Sequence, residues 1–160
     1  MNEIKMKINE IRVSDPKVKI TYRLSNLYFF RSLILIAIIL FTIIYVGIDL
    51  FKKDLSNNYF TIFIILGLMA YIIFYLNTVL KFKIHVDENE IMDKNNKVMI
   101  NQIEKLSLRV MRIYKNSNEN CLIVKTKDKK EFVYRLNIND KYKFIKQISI
   151  LTNLDVIIEE

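Results

Sequence analysis

Two runs of this chain contain no charged residue, 33–48 and 59–76, and nothing else in the sequence restricts its fold as strongly. The first, LILIAIILFTIIYVGI, has 16 residues, about 24 Å of helix at roughly 1.5 Å per residue. A bilayer core of about 30 Å asks for around 20 residues. Extension back through Tyr28, Phe29, Phe30 and Arg31 supplies the difference: the aromatic rings suit the interface and Arg31 can snorkel to the headgroups. The second run has 18 residues and can lengthen through 77–80. Tyr59, Phe60, Tyr71 and Tyr75 lie toward its ends as interfacial anchors, with Lys81 just beyond. A helix of a soluble bundle normally keeps a polar stripe. These runs are apolar all round, and the remaining chain is too small to wrap them. A transmembrane helical hairpin is therefore predicted, with spans at about 29–49 and 59–80. A cleaved signal peptide is not expected, because the first run starts late, lacks a small-x-small site and is followed by a second span.

Charge orients the hairpin. The formal net charge is +8. It is divided equally between residues 1–32 and 81–160, while the loop 49–58 balances Lys52 and Lys53 against Asp49 and Asp54. Lys17, Lys19, Arg23 and Arg31 flank the first span; Lys81, Lys83 and Lys94 follow the second. The positive-inside tendency places both termini in the cytoplasm and the loop outside, in the plasma membrane. The lone cysteine, Cys121, cannot form an internal disulfide, which fits a reducing compartment, and reads as a small apolar strand residue.

The polar segments change period. Ile4, Met6 and Ile8 alternate, then Ile11 and Val13. Ser14-Asp15-Pro16-Lys17 signals a turn. Val18, Ile20, Tyr22 and Leu24 then alternate with polar neighbours, so residues 1–26 read as a cytoplasmic β-hairpin with one buried face. Residues 27–80 form the membrane hairpin. Residues 81–160 form a cytoplasmic β region. There Phe82, Ile84 and Val86 alternate, and Ile91-Met92 and Val98-Met99-Ile100 flank the turn Asp93 to Asn96. The stretch 103–114 fits either a strand or a helix face. A polar loop from Lys115 to Asn120 leads to strands at Leu122-Val124 and Phe132-Leu136, turned at Lys127 to Lys130. Asn139 is the expected N-cap of an amphipathic helix from about 140 to 152, with Phe144, Ile148 and Leu151 on one face. The run Val156-Ile157-Ile158 closes the chain. Since a lone hairpin is marginal in water, the N-terminal strands are expected to join the C-terminal region. The predicted class is a membrane α+β protein: a two-helix transmembrane hairpin inserted into an antiparallel β domain with a C-terminal amphipathic helix.

The phrases ITYRLSNLYFF (20–30), IHVDENEI (84–91), VMINQIEKL (98–106), EFVYRLN (131–137) and DKYKFIKQI (140–148) resemble, in that order, the small bacterial two-transmembrane proteins with a pleckstrin-homology-like cytoplasmic domain. The resemblance covers most of the chain through hydrophobic patterns. It implies that fold, and it carries little about function.

No reaction chemistry is predicted. His85 lies on the polar face of a strand, with no second His or Cys to build a transition-metal site. No glycine lies outside the apolar runs to form a phosphate loop. Asp87, Glu88, Glu90 and Asp93 read as a solvated turn. The apolar runs hold no carboxylate or lysine that would mark an ion path. No catalytic residue, cofactor or metal is expected, and the mixed charge around a membrane hairpin makes nucleic acid a poor partner. The expected partners are the bilayer and either another protein or a second copy. Lys125, Lys127, Lys129 and Lys130 form the candidate contact surface, because basic residues near an anionic leaflet gain about 1 kcal/mol each. Two functions follow: a membrane-anchored scaffold or adaptor, or a small membrane-resident immunity or accessory subunit held through its helices.

Overall fold

The computed structural model describes residues 2–52, 58–94, 96–114 and 117–159. The loop residues 53–57, Asn95 of the predicted turn and residues 115–116 of the predicted polar loop lie outside them. The chain divides into two compact units, one of residues 26–82 and one assembled from 1–25 and 83–160.

The helical unit consists of α2 (Asn26–Lys52) and α3 (Tyr59–Lys81). They pack on each other through few buried side chains, Ser32, Ile36, Leu50, Ile72 and Val79. The Tyr75 hydroxyl donates to Ser32 Oγ at 3.0 Å, and Ser32 donates in turn to the Tyr28 carbonyl at 2.9 Å. Most other side chains of both helices face outward.

The stranded unit begins with α1 (Asn2–Glu10), a helix where alternation suggested the first strand of a hairpin. Ile4 and Ile8 are also four apart, which stacks them on one helical face. Lys, Glu and Met favour helix, and a helix satisfies its own backbone where no strand partner is available. α1 packs on the C-terminal helix, with Ile8 buried and Met6 56% exposed. The predicted turn is present: the Lys17 N–H donates to Asp15 Oδ1 at 2.9 Å.

Strand β1 (Ile20–Arg23) pairs antiparallel with β2 (Lys83–Val86), in register Ile20 with Val86 and Arg23 with Lys83. The N-terminal strand thus joins the C-terminal region across the inserted helices. Only Tyr22 of its predicted apolar face is fully buried; Ile20 and Leu24 are half-buried and Val18 is exposed. Val18 precedes the strand, and its carbonyl accepts from the Gln147 amide instead of a neighbouring strand. β3 (Glu90–Met92) and β4 (Lys97–Met99) complete a four-stranded sheet in the order β1-β2-β3-β4. A 3-10 turn, Ile100–Gln102, leads into β5 (Ile103–Tyr114). This ambiguous stretch is a strand. Leu106 and Leu108 are both buried at alternate positions, while Val110, which a helical face would bury, is 59% exposed.

The second sheet has the order β7-β6-β5-β8, with β6 at Ser117–Thr126, β7 at Glu131–Arg135 and β8 at Val156–Glu159. β8 runs parallel to β5, so this sheet is mixed where an antiparallel one was expected. The helix α4 (Lys141–Thr152) separates β7 from β8 and carries the chain back far enough for a parallel pairing. α4 starts as the periodicity predicts, but its N-cap is Asp140 at φ 53°, not Asn139. The Asn139 N–H instead donates to the Arg23 carbonyl at 2.9 Å, and Leu24 bridges Ile138. Residues 137–139 therefore extend the edge of β1.

Phe144, Ile145, Gln147 and Ile148 of α4 are fully buried. The Phe144 ring meets Tyr22 of the first sheet at 5.0 Å and Tyr134 of the second at 6.0 Å, both edge-on. Gln147 accepts from the Tyr22 hydroxyl at 2.8 Å and donates to the carbonyls of Pro16 at 2.8 Å and Val18 at 3.2 Å. One amide thus fastens the N-terminal segment onto the C-terminal helix.

Two outcomes test this architecture. Arg23 lies directly opposite Lys83, so replacing 26–82 with a short Gly–Ser loop should yield a soluble, β-rich protein with one cooperative melt. Aggregation or a non-cooperative melt would show that the stranded unit is not self-sufficient. In that protein Gln147→Leu should cost about 2–4 kcal/mol, because it strands buried polar groups. Tyr22→Phe should cost about 1 kcal/mol. The double variant should cost less than the sum, as read from urea midpoints, since both remove one shared bond.

Candidate functional site

The four lysines singled out above fall on one hairpin. β6 turns into β7 through a tight turn in which the Lys129 N–H donates to the Thr126 carbonyl at 2.8 Å and the Thr126 N–H to the Lys130 carbonyl at 3.0 Å. The Lys127 N–H donates to the Gln102 carbonyl at 2.8 Å, which ties the tip to the 3-10 turn. Lys127, Lys129 and Lys130 are exposed there. Lys125 is set apart. It lies half-buried in β6, with Lys105 of β5 on one side and Glu131 of β7 on the other. Asp128 and Glu131 offset part of the charge, so the tip is a modest basic knob.

Lys129 holds φ at 61°. This left-handed conformation favours glycine, because a Cβ crowds the following carbonyl. Among the described residues, the other non-glycine residues with left-handed backbone are Asp140 and Asn153, each flanking α4. The two glycines of the chain, Gly47 and Gly67, lie inside α2 and α3.

The residues assigned to the membrane interface all lie on the helical unit. Arg31 of α2 and Tyr59 and Lys81 of α3 are exposed. Tyr28 and Tyr75 are half-buried, and Tyr75 uses its hydroxyl between the helices, stacked on Tyr71 at 5.9 Å.

The structure also assembles a surface that was not foreseen. On the solvent side of β1 and β2, Thr21 lies opposite His85 and Arg23 opposite Lys83, with Lys19 preceding the strand. Thr21 Oγ1 and His85 Nδ1 share a hydrogen bond at 2.8 Å. Partial burial lowers the His85 pKa, and Lys19 and Lys83 lower it further, against a smaller opposing pull from Asp87. The imidazole is therefore neutral near pH 7. Each of these side chains was legible as polar; their convergence depends on the pairing of residues 60 positions apart and more, for which no local signal exists.

The acidic group at 87–93 is consumed by its own turns and neighbours. Asp87 Oδ1 accepts from the N–H groups of Asn89 and Glu90, each at 3.0 Å. Glu88 pairs with Lys17 at 2.7 Å, Glu90 with Lys97 at 2.5 Å, and Asp93 Oδ1 caps Asn96 at 2.7 Å. Among the described residues, no three His, Cys, Asp or Glu stand close enough to share a metal ion. Cys121 is fully buried, and burial raises its thiol pKa, with Glu119 adding to the effect.

An apolar cavity of about 200 Å³ lies between α1, α4 and the second sheet, lined by Ile4, Leu108, Leu136, Ile145 and Ile158, with Lys141 at its edge. Arg109, also on its wall, is ion-paired to Glu159. Glu159 additionally holds Lys105, and the two cations keep its carboxyl below the usual range.

Set beside family models, curated proteins and solved structures, the chain matches none of them.

Relief of the left-handed strain provides a test of the turn. Lys129→Gly should stabilise the stranded unit by roughly 1 kcal/mol, seen as a higher melting temperature. An unchanged or lower value would mean that residue 129 does not hold this conformation.

Proposed function

We propose that this chain is a membrane-anchored scaffold or adaptor. Its two long helices hold it in the plasma membrane with both termini in the cytoplasm. The stranded unit binds a protein partner or an anionic lipid surface there.

The observation that carries this reading is the outward display of large apolar side chains by α2 and α3. Phe41, Phe60, Phe63 and Phe74 are between 72% and 77% exposed. Leaving these four in water forgoes roughly 6–12 kcal/mol, comparable to the whole stability of a domain, about 5–15 kcal/mol. The candidate spans, 25 residues in α2 and 23 in α3, contain 18-residue windows with mean hydropathies of 2.8 and 2.3. At roughly 1.5 Å per residue both exceed a core of about 30 Å. Tyr28, Arg31, Tyr59 and Lys81 near the helix ends suit the headgroup layer.

Two crossings return a chain to its starting side. The β1–β2 ladder requires that return, because a sheet cannot be built from strands on opposite sides of a bilayer. The balance of Lys and Arg favours the cytoplasmic side. The pleckstrin-homology-like reading of this unit rests on the hydrophobic phrases of the sequence, taken together with two four-stranded sheets and one C-terminal helix. Under this reading the exposed lysines at 127, 129 and 130 are available to an anionic surface.

Labelling of single-cysteine variants in intact cells, on a Cys121→Ala background, tests the topology. Leu55→Cys should react with an impermeant reagent from outside and Asn95→Cys should not; the opposite pattern would reject the orientation. Affinity purification after exchanging both helices for unrelated spans separates scaffold from accessory subunit. A scaffold keeps its partner, whereas a subunit held through α2 and α3 loses it.

A further inference from the structure

The solvent face of the first sheet contains an unfavourable arrangement that nothing among the described residues relieves. Arg23 and Lys83 are direct cross-strand neighbours, and like charges so placed repel. Lys19 adds a third cation near His85, on the far side of the Thr21–His85 pair from Arg23 and Lys83. All three are exposed. Five other cations of this unit do meet carboxylates: Lys17 meets Glu88, Lys97 meets Glu90, Lys105 and Arg109 share Glu159, and Arg135 meets Glu119. Among the described residues no carboxylate comes within ion-pair distance of Lys19, Arg23 or Lys83.

Chain connectivity tells where this triad stands. Arg23 is three residues before α2 and Lys83 two residues after α3. Even fully extended, such links reach only about 10 Å. If α2 and α3 span the bilayer, Arg23 and Lys83 are confined to the vicinity of the headgroup layer, which is roughly 5–7 Å deep on each face.

We propose that Arg23 and Lys83, assisted by Lys19, form a binding site for the phosphodiester of an anionic phospholipid in the leaflet from which the two helices emerge. The guanidinium offers two parallel donors to a phosphate, and the ammonium is a point charge beside it. The bound anion converts the repulsion between the two strands into a shared contact. It thereby ties lipid composition to the β1–β2 ladder, which helps close the stranded unit across the inserted helices. This inference rests on the membrane reading above and uses residues distinct from the hairpin tip.

His85, the only histidine of the chain, reports on the site. It faces Thr21 across β1 and Met92 across β3, with Lys19, Lys83 and Asp87 as its charged neighbours. A phosphate between Arg23 and Lys83 offsets the charge that disfavours imidazolium, so His85 should titrate at higher pH when the site is filled. The experiment places the full chain in nanodiscs of phosphatidylcholine alone and of phosphatidylcholine with phosphatidylglycerol, and follows the His85 ring proton by NMR across pH. The wild type should show a higher His85 pKa in the anionic discs. Most of that rise should vanish in Arg23→Gln/Lys83→Gln and persist in Lys127→Gln/Lys129→Gln, which separates a bound lipid from the general surface potential and from the tip. Both pairs are exposed, and a cooperative melt verifies each fold. An equal rise in wild type and Arg23→Gln/Lys83→Gln, or no rise, overturns the site while leaving the membrane reading intact. Inorganic phosphate added to phosphatidylcholine discs should not reproduce the rise; if it does, the lipid assignment falls. A chain that does not enter nanodiscs at all overturns the membrane reading and the site with it.

Discussion

The buried amide of Gln147 is the contact on which the stranded unit depends. A side-chain amide removed from water is costly unless its donors and acceptor are used, and here both N–H groups and the oxygen are engaged. Its partners, Pro16, Val18 and Tyr22, precede the apolar helices, whereas Gln147 follows them. The packing of Phe144 between Tyr22 and Tyr134 spans the same gap. The core therefore cannot form until the chain has left through α2 and come back through α3. Local elements such as the β5–β6 hairpin have no such requirement.

That closure governs much of the rest. It makes β1 the partner of β2, which places the departure and return of the helical insertion at adjacent strand ends. It draws residues 137–139 alongside 23–25, which takes Asn139 out of the capping role that its sequence position suggested and leaves Asp140 in a left-handed conformation. It also brings Arg23 against Lys83, a repulsion accepted within the fold because the neighbouring Tyr22 and Ile84 on the inner face are both buried. The near absence of glycine is met in the same way. Lys129, Asp140 and Asn153 occupy positive-φ positions at a cost small enough for the surrounding hydrogen bonds to offset.

The candidate surfaces differ in how far they could be read in advance. The lysines at 127, 129 and 130 are close in sequence and flank a turn signal, so their grouping followed from proximity alone. Lys125 is their neighbour in sequence, but its half-burial between Lys105 and Glu131, apart from the exposed tip, depends on the strand register. The cluster of Lys19, Arg23, Lys83 and His85 had no sequence signal, since charge patterning reports only neighbours along the chain. The N-terminal helix lacks a decisive local signal for a related reason. Ile4, Met6 and Ile8 satisfy a period of two as well as the i, i+4 spacing of Ile4 and Ile8, and only packing on α4 decides between them.

By itself the sequence determined the elements whose cause is local. These are two helices long and apolar enough to cross a bilayer, the alternation of β2, β6 and β7, the turns at Asp93 and Lys127, and the amphipathic period of α4. Each follows from side-chain type and spacing within about one helix or hairpin length. Tertiary structure alone decided the helix at 2–10, the strand at 103–114, the parallel addition of β8, the division into two sheets and the placing of Phe144 between them. Those outcomes turn on which distant segment is available to bury a face or complete a ladder. A residue's own pattern specifies that it needs a partner; it does not specify which one.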